Sequence, residues 1–447
     1  MVQKVLLLGS GFVAKPTVDI LAARPNTEVT VACRTLDKAQ ALAGSSASTK
    51  AISLDVTDPA ALDAAVSEAD LVISLIPYIY HATVAAAAIK FGKHALTTSY
   101  LSPAIKALEE SAKKAGTIVF NEIGLDPGID HLYAVKAIDE IHQAGGKVKS
   151  FLSYCGGLPA PEASDNPLGY KFSWSARGVL LALRNNAKFY QDGKEVEIQG
   201  KDLMKSAKPY FIYPGYAFLG YGNRDSTVFR DLYRIPEADT VFRGNLRYQG
   251  FTDFALVLVD LGMFDDTEKD FLKSPIPWKE AFAKLIGAGS TSEADVLAAV
   301  DAKTTFPSAE VKATILNGLK WLGLFSDKPI MPKGNALDTF GATLEELMQY
   351  GPGERDMVML QHKFGIEWAD GTTETRTSAL VDYGDPNGYS AMAKLVGTPC
   401  AIAAGLILEG YFKPTGILAP YSPEICDPLR KILKEKYGIF MVEKTLV

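Results

Sequence analysis

Apolar positions in the first 127 residues come in short continuous runs, separated by longer segments of helical period. The runs are "KVLLLG" (4–9), "EVTVAC" (28–33), "AISLDV" (51–56), "LVISLI" (71–76), "HALTTS" (94–99) and "TIVFNEI" (117–123). Runs of this length, bounded by glycine, proline and polar residues, suit strands buried on both faces. Between them, "AALDAAVSEA", "ATVAAAAIKFG" and "SPAIKALEESAKKAG" are rich in helix formers. The alternation predicts an α/β fold, a Rossmann-type doubly wound parallel sheet. Such sheets bind ligands at the carboxyl ends of the strands, where strand order reverses.

Beyond residue 127 the pattern changes. "VKSFLSYCGGLPAPEA", "VFRGNLRYQGF" and "FALVLVDLG" read as strands, and 358–384 as a hairpin with Asp370 and Gly371 at its turn. "WKEAFAKLIG", "SEADVLAAVDA" and "SAEVKATILNGLKWLGLF" have helical periodicity, and the latter two open on a serine suited to cap a helix. The apolar 390–410 segment predicts a buried helix that returns to the first domain. The expected organisation is a cofactor domain (1–127 plus 390–447), an α+β substrate and dimerisation domain (128–269 plus 349–389) and a helical insertion (270–348).

A chain of 447 residues is too long for one ordinary core. Its 46 basic and 52 acidic side chains leave a net charge of -6, without the basic cluster a nucleic-acid binder needs. Cys33, Cys155, Cys400 and Cys426 are far apart and form no CxxC pair, which fits a reducing compartment. The five histidines show no metal-ligand spacing, so no metal is expected. The chain enters its first strand almost at once, with too short an apolar run for a signal peptide or membrane span, and the expected location is cytoplasmic.

The first strand runs into "GSGFVA" (9–14), a G-x-G-x-x-A fingerprint in strand-turn-helix context. Gly9 allows the tight turn, Gly11 lets a pyrophosphate approach the backbone, and Ala14 keeps the following helix close to the sheet. An NAD site would place a carboxylate at the end of the second strand; this chain has Cys33, Arg34 and Thr35 there. Arg34 can pair with a 2′-phosphate, which predicts NADP(H), although a solvated surface charge is the plainer reading of the same residue. Leu75, Ile76 and Pro77 after the fourth strand are expected near the cofactor backbone, and His81 as a capping or surface residue.

The sixth strand leads into "NEIGLDPGIDHLYA" (121–134). Gly124, Pro127 and Gly128 predict a shaped loop, with Asp130 and His131 as helix-start and packing residues. Downstream, "YGNRDS" and "RGNLRYQG" each set arginine beside asparagine in a turn or strand edge, suited to carboxylates, though each arginine alone reads as a surface ion pair.

The segment from "TTSYLSPAIKALEE" through "NEIGLDPGIDHLYAVKAI", with "FSWSARGVLLA", "NRDS" and "RGNLRYQGF" in order, resembles the saccharopine reductase family, the NADP-dependent, glutamate-forming saccharopine dehydrogenases. The resemblance spans nearly the whole chain and is nearest the stand-alone fungal type, because no lysine-ketoglutarate reductase region is attached. Ala176 departs from an expected proline. The resemblance implies that glutamate condenses with α-aminoadipate-δ-semialdehyde and that NADPH reduces the imine to saccharopine, reversibly, in lysine biosynthesis.

It implies saccharopine contacts at Ser99, Tyr100, Asp126, Arg224, Asn245, Leu246 and Arg247. On the cofactor side it implies Gly9, Ser10, Gly11, Phe12, Val13, Cys33, Arg34, Thr35 and Leu125, with Trp174 and Ser175 over the nicotinamide. In these terms the 121–134 loop leads from the cofactor domain to the substrate domain and presents Asp126. Imine formation and reduction need proton transfers, for which Asp126, Tyr100 and Cys155 are the plausible groups. Family and size suggest a homodimer. A polyamine imine reductase of carboxynorspermidine type and a non-catalytic NADP(H) sensor are the alternatives.

Overall fold

The computed structural model describes residues 2–446, which divide into two compact units. One comprises residues 2–149, 231–237 and 362–446, the other Ser150–Arg230 and Ala238–Gln361.

In the first unit the six apolar runs form β1 (Gln3–Leu8), β2 (Thr27–Cys33), β3 (Thr49–Ser53), β4 (Leu71–Ser74), β5 (His94–Thr97) and β6 (Ile118–Phe120). Their order is β6-β5-β4-β1-β2-β3, all parallel, with Gly416–Leu418 added beside β6. The order reverses at β1, flanked by β2 and β4, so the expected crevice lies past the ends of β1 and β4. The connecting helices are α1 (Lys15–Ala22), α2 (Leu36–Ala43), α3 (Pro59–Ser67), α4 (His81–Lys90), α5 (Pro103–Lys106) and α6 (Glu109–Ala115). Leu6, Leu8, Val72, Ala95 and Val119 of the strands pack with Leu62, Val66, Val84 and Ala88 of the helices, all buried.

The apolar Ala391–Leu408 helix, long enough by composition to cross a membrane, is instead largely buried in this unit. Thr17 Oγ1 donates to its Gly397 carbonyl at 3.0 Å. A Cβ at Gly397 would stand 2.8 Å from the Val13 carbonyl, so glycine lets this helix meet the start of α1. The C-terminal segment thus lies in one unit with the nucleotide-binding strands. Residues 128–149, expected in the substrate domain, also lie in this unit. Their helix α7 (Ile129–Gln143) packs on Pro423–Tyr437, and Lys136 pairs with Glu443 at 2.8 Å.

The second unit contains the antiparallel strands Lys208–Tyr210, Phe218–Gly222 and Thr240–Tyr248, the last parallel to the Lys147–Pro159 strand. The 270–348 helices, expected as a separate insertion, contribute to this unit's core. Trp278 is buried, its ring 6.0 Å from Phe340, and its indole N–H donates to Thr343 Oγ1 at 3.2 Å. Ser292 and Ser308 cap their helices as expected, accepting from Asp295 N and Val311 N at 3.2 Å.

One element differs from expectation: "FALVLVDLG" lies in a helix, Phe251–Asp260. Phe251, Phe254, Ala255 and Leu258 are buried at helical spacing, with Asp253 and Asp260 off that stripe. A short apolar run cannot separate strand from buried helix until the flanking residues are counted. Gly318 on a neighbouring helix makes room for the packing, since a Cβ there would lie 2.2 Å from the Phe254 ring.

Candidate active site

The glycine loop after β1 is built for close approach. Gly9 has φ +114°, and a Cβ there would stand 2.6 Å from the Leu75 carbonyl, which follows β4. The constraint on Gly9 is therefore steric as well as conformational: it lets the loops after the two switch-point strands touch. A Cβ at Gly11 would meet nothing within 4 Å, which leaves open space beside the backbone, and Ala14 is fully buried. Ser10 is half-buried and Phe12 is 57% exposed. An open backbone edge at the start of α1 fits a pyrophosphate.

At the end of β2, Arg34 and Thr35 are exposed and Cys33 is half-buried, its Sγ donating to the Thr35 carbonyl at 2.9 Å. Ser53 Oγ donates to the Arg34 carbonyl at 3.1 Å, which fixes the backbone and leaves the guanidinium outside. The nearby Asp55 carboxylate accepts from Thr57 N and Oγ1 at 2.9 and 2.8 Å. Those bonds hold it below the usual range, with Arg34 a lesser cause. This arrangement fits a dinucleotide carrying a 2′-phosphate. Leu75 and Ile76 are half-buried and Pro77 is exposed.

The ends of β4, β5 and β6 carry a different kind of chemistry. Past β5, Ser99 and Tyr100 are half-buried, and the Tyr100 hydroxyl donates to Asp126 Oδ1 at 2.5 Å. The Asp126–Pro127 peptide is cis. A Cβ at Gly128 would fall 2.0 Å from the Gly124 carbonyl, so the loop closes only with glycine there. Gly124 N donates to the Pro127 carbonyl and Ile129 N to the Gly124 carbonyl, both at 2.9 Å. Asp130 Oδ1 accepts from Gly128 N at 2.6 Å, the helix-start role read from sequence. Leu125 is buried beneath the loop.

His131 does more than pack. Fully buried, its Nε2 lies 2.8 Å from Glu122 Oε2 and its Nδ1 2.6 Å from the Tyr233 hydroxyl. Glu122, 2% exposed, also accepts from Leu101 N at 2.7 Å and the Tyr421 hydroxyl at 2.6 Å. Burial by itself pushes the Glu122 carboxyl up, but these partners outweigh it and hold the carboxyl below its ordinary range. Through Leu101 the network fixes the loop that bears Ser99 and Tyr100.

His81 is corrected too: it is 3% exposed, not a surface residue. It bridges Ser74 Oγ (2.8 Å from Nδ1) and Ser99 Oγ (2.9 Å from Nε2). Sequence reading missed this because the two serines stand at the ends of different strands, seven residues before His81 and eighteen after it.

The second unit holds the other expected residues. Cys155 is buried and stands in register with Asn245 on the adjacent strand; Leu246 and Arg247 continue that strand opposite Gly220 and Leu219. The Thr240–Tyr248 strand lies between two others and is not an edge. Arg243 and Arg247 are accordingly buried, not surface ion pairs. Arg247, 6% exposed, has its guanidinium 4.9 Å from the Tyr170 ring and 5.2 Å from the Phe251 ring, and Nη1 donates to the Leu246 carbonyl at 2.7 Å. Among the described residues no carboxylate pairs with it, so a nearly buried cation is held by aromatic faces and one backbone carbonyl. Such a group suits a carboxylate ligand.

Arg224 is exposed at φ +52°, its carbonyl accepting from Lys188 N at 2.8 Å. Trp174 packs on Gly178, where a Cβ would meet its ring at 2.7 Å. Ser175 Oγ caps the Ala176–Ala182 helix by accepting from Gly178 N at 3.2 Å.

Residues 5–120 match the model of the saccharopine dehydrogenase NADP binding domain, and 124–439 that of the saccharopine dehydrogenase C-terminal domain. The chain is 64% identical, over the full length of both, to the NADP(+)-dependent, L-glutamate-forming saccharopine dehydrogenase of Saccharomyces cerevisiae. It is 61% identical to that of Schizosaccharomyces pombe over 99% of both chains. The apo structure of the S. cerevisiae saccharopine dehydrogenase superposes with a TM-score of 0.90 at 63% identity, covering all of both chains. The bovine mitochondrial alpha-aminoadipic semialdehyde synthase is 39% identical over 99% of this chain and 48% of its own length.

Proposed function

The chain belongs to the saccharopine dehydrogenase family, and we propose how its residues carry out the NADP-dependent, L-glutamate-forming reaction of that family. In one direction L-glutamate and α-aminoadipate-δ-semialdehyde join as an imine with loss of water, and reduction of the C=N bond gives saccharopine. In the other, saccharopine is oxidised to the imine and hydrolysed. When bound, NADPH supplies the hydride that the imine carbon takes up.

Gly9 to Val13 and the start of α1 hold the pyrophosphate, Arg34 with Cys33 and Thr35 the 2′-phosphate, and Leu75, Ile76, Pro77 and Leu125 the nicotinamide half. Trp174 and Ser175 complete the cofactor set. Arg224, Asn245, Leu246 and Arg247 recognise substrate carboxylates, and the caged charge of Arg247 is well suited to that task. Ser99, Tyr100 and Asp126 contact the reacting end.

The Tyr100–Asp126 hydrogen bond of 2.5 Å is the observation that carries the chemistry. Tyr100 donates to Asp126, which keeps the carboxylate an acceptor. An acceptor of that kind beside the imine nitrogen favours its protonated form, the form that takes hydride best. Cys155 remains a candidate for the same proton. Positioning of two charged substrates contributes most of the rate, since proximity supplies about 7–11 kcal/mol.

Purified protein with saccharopine and NADP+, set beside NAD+, tests the reading through the absorbance of reduced nicotinamide. Saccharopine-dependent reduction with strong NADP+ preference is expected; NADPH binding without turnover would overturn it. A cytoplasmic homodimer belongs to the same proposal, tested by imaging of the tagged chain and by analytical ultracentrifugation.

A further inference from the structure

Ser74 closes β4, His81 opens α4, and Ser99 stands two residues past β5, the strand beside β4 in the sheet. The geometry points to a directed relay. His81 holds the Ser99 hydroxyl as a hydrogen-bond donor toward a carboxylate of the substrate, and so acts as a positioning residue for Ser99. The inference rests on the functional reading above for the identity of the acceptor.

A neutral imidazole has one donor nitrogen and one acceptor nitrogen, so the chain Ser74–His81–Ser99 can run in only two senses. Burial keeps the ring neutral, pushing it from an ordinary 6.5 down to about 4. In one sense Nδ1–H donates to Ser74 and Nε2 accepts from Ser99. The Ser74 proton would then need an acceptor of its own, but Ser74 is 3% exposed and, among the described residues, its side chain hydrogen-bonds only to His81. A buried donor without a partner disfavours that sense by about tenfold or more.

In the other sense Ser74 O–H donates to Nδ1 at 2.8 Å and Nε2–H donates to Ser99 Oγ at 2.9 Å. Every buried proton then has an acceptor, and the Ser99 proton is the one left for a ligand. The Ser99 backbone is pinned on both sides, its N–H donating to Thr97 Oγ1 at 3.3 Å and its carbonyl accepting from Glu122 N at 3.2 Å. With the backbone fixed and one lone pair occupied by the imidazole, the hydroxyl is left with its proton to offer to an anion.

Two measurements on the full chain test this. Nitrogen NMR of 15N-histidine-labelled protein, with the His81 signals identified by their loss in His81→Gln, reads the tautomer without any turnover; the chain has only five histidines to assign. A protonated Nε2 is expected, and a protonated Nδ1 overturns the relay. Steady-state kinetics with saccharopine and NADP+ then compare His81→Leu, His81→Gln, Ser99→Ala and the His81→Leu, Ser99→Ala double variant.

His81→Leu is expected to raise KM for saccharopine about tenfold, with KM for NADP+ unchanged. Adding Ser99→Ala should cost nothing more, and His81→Gln, whose amide N–H can replace Nε2–H, should recover most of the loss. Additive losses in the double variant, or no recovery with glutamine in a protein of unchanged melting temperature, would overturn the positioning role. A protonated Nε2 in a wild-type protein that does not turn over saccharopine would instead overturn the functional reading alone.

Discussion

Two stretches of one parallel sheet end in opposite ways. Past β2, Arg34 and Thr35 reach solvent, and the local hydrogen bonds of Cys33 and Ser53 shape the backbone without engaging the guanidinium. Past β4, β5 and β6, most polar groups are buried and bond to one another, with half-buried Ser99 at their outer end: Ser74 with His81, His81 with Ser99, and Glu122 with Leu101, His131 and Tyr421. The first kind of end leaves a charge ready for a ligand and costs little to keep in water. The second fixes the direction of a few groups and needs complete satisfaction of every buried donor to be stable. In the proposed function, cofactor choice falls to an exposed side chain, and presentation of the reacting groups to a buried network.

Breaking the Tyr100–Asp126 pair should have the largest consequence. Asp126→Ala is expected to lower kcat by about 10²–10⁴-fold, the contribution of one positioned acid or base. Single-turnover kinetics check this; a loss of six orders of magnitude would mean that positioning contributes far less than argued.

Next comes the buried imidazole. Because folding lowers the His81 pKa from 6.5 to about 4, the unfolded chain binds the proton more readily, and the stability this gives is full above pH 6.5. It is lost as pH falls through 6.5 toward 4, by roughly 3 kcal/mol in all. Urea midpoints across that window should fall in the wild type and fall much less in His81→Leu. The Glu122 carboxyl, held low, contributes with the same sign at lower pH, so its loss begins as pH falls through the ordinary carboxylate range and continues below it.

The exposed end of β2 gives a smaller and cleaner effect. Arg34→Ala should raise KM for NADP+ by about ten- to hundredfold, leave NAD+ kinetics unchanged and leave the melting temperature within error, because one charge-assisted hydrogen bond to phosphate is worth about 1.5–3 kcal/mol. A drop in melting temperature would show that Arg34 belongs to the structural class of strand end after all. Smallest is Tyr421→Phe, which removes one donor from Glu122 and should cost about 1–2 kcal/mol at neutral pH by denaturant midpoints, with little change in KM for NADP+.

Legibility followed the range over which each feature is decided. The six strands of the nucleotide-binding sheet, the glycine fingerprint and the serine caps at 292 and 308 depend on neighbours in sequence, and the structure has them where the pattern placed them. "FALVLVDLG" failed because an apolar run of that length fits a strand or a buried helix equally well, and the choice fell to packing against Gly318 and its helix. Arg243 and Arg247 looked like surface groups because a strand does not reveal whether it lies at an edge. His81 looked idle because its partners are seven residues before it and eighteen after, brought together only by the adjacency of β4 and β5.

What the sequence determined by itself was therefore the alternation of elements, the anion-binding turn, the missing carboxylate at the end of β2 and the family to which these belong. Only the tertiary structure decided which polar side chains are taken out of water and which way their protons point. Burial and hydrogen-bond satisfaction are set by groups far apart in the chain, such as Glu122 with Tyr421, and no local pattern of residues encodes them.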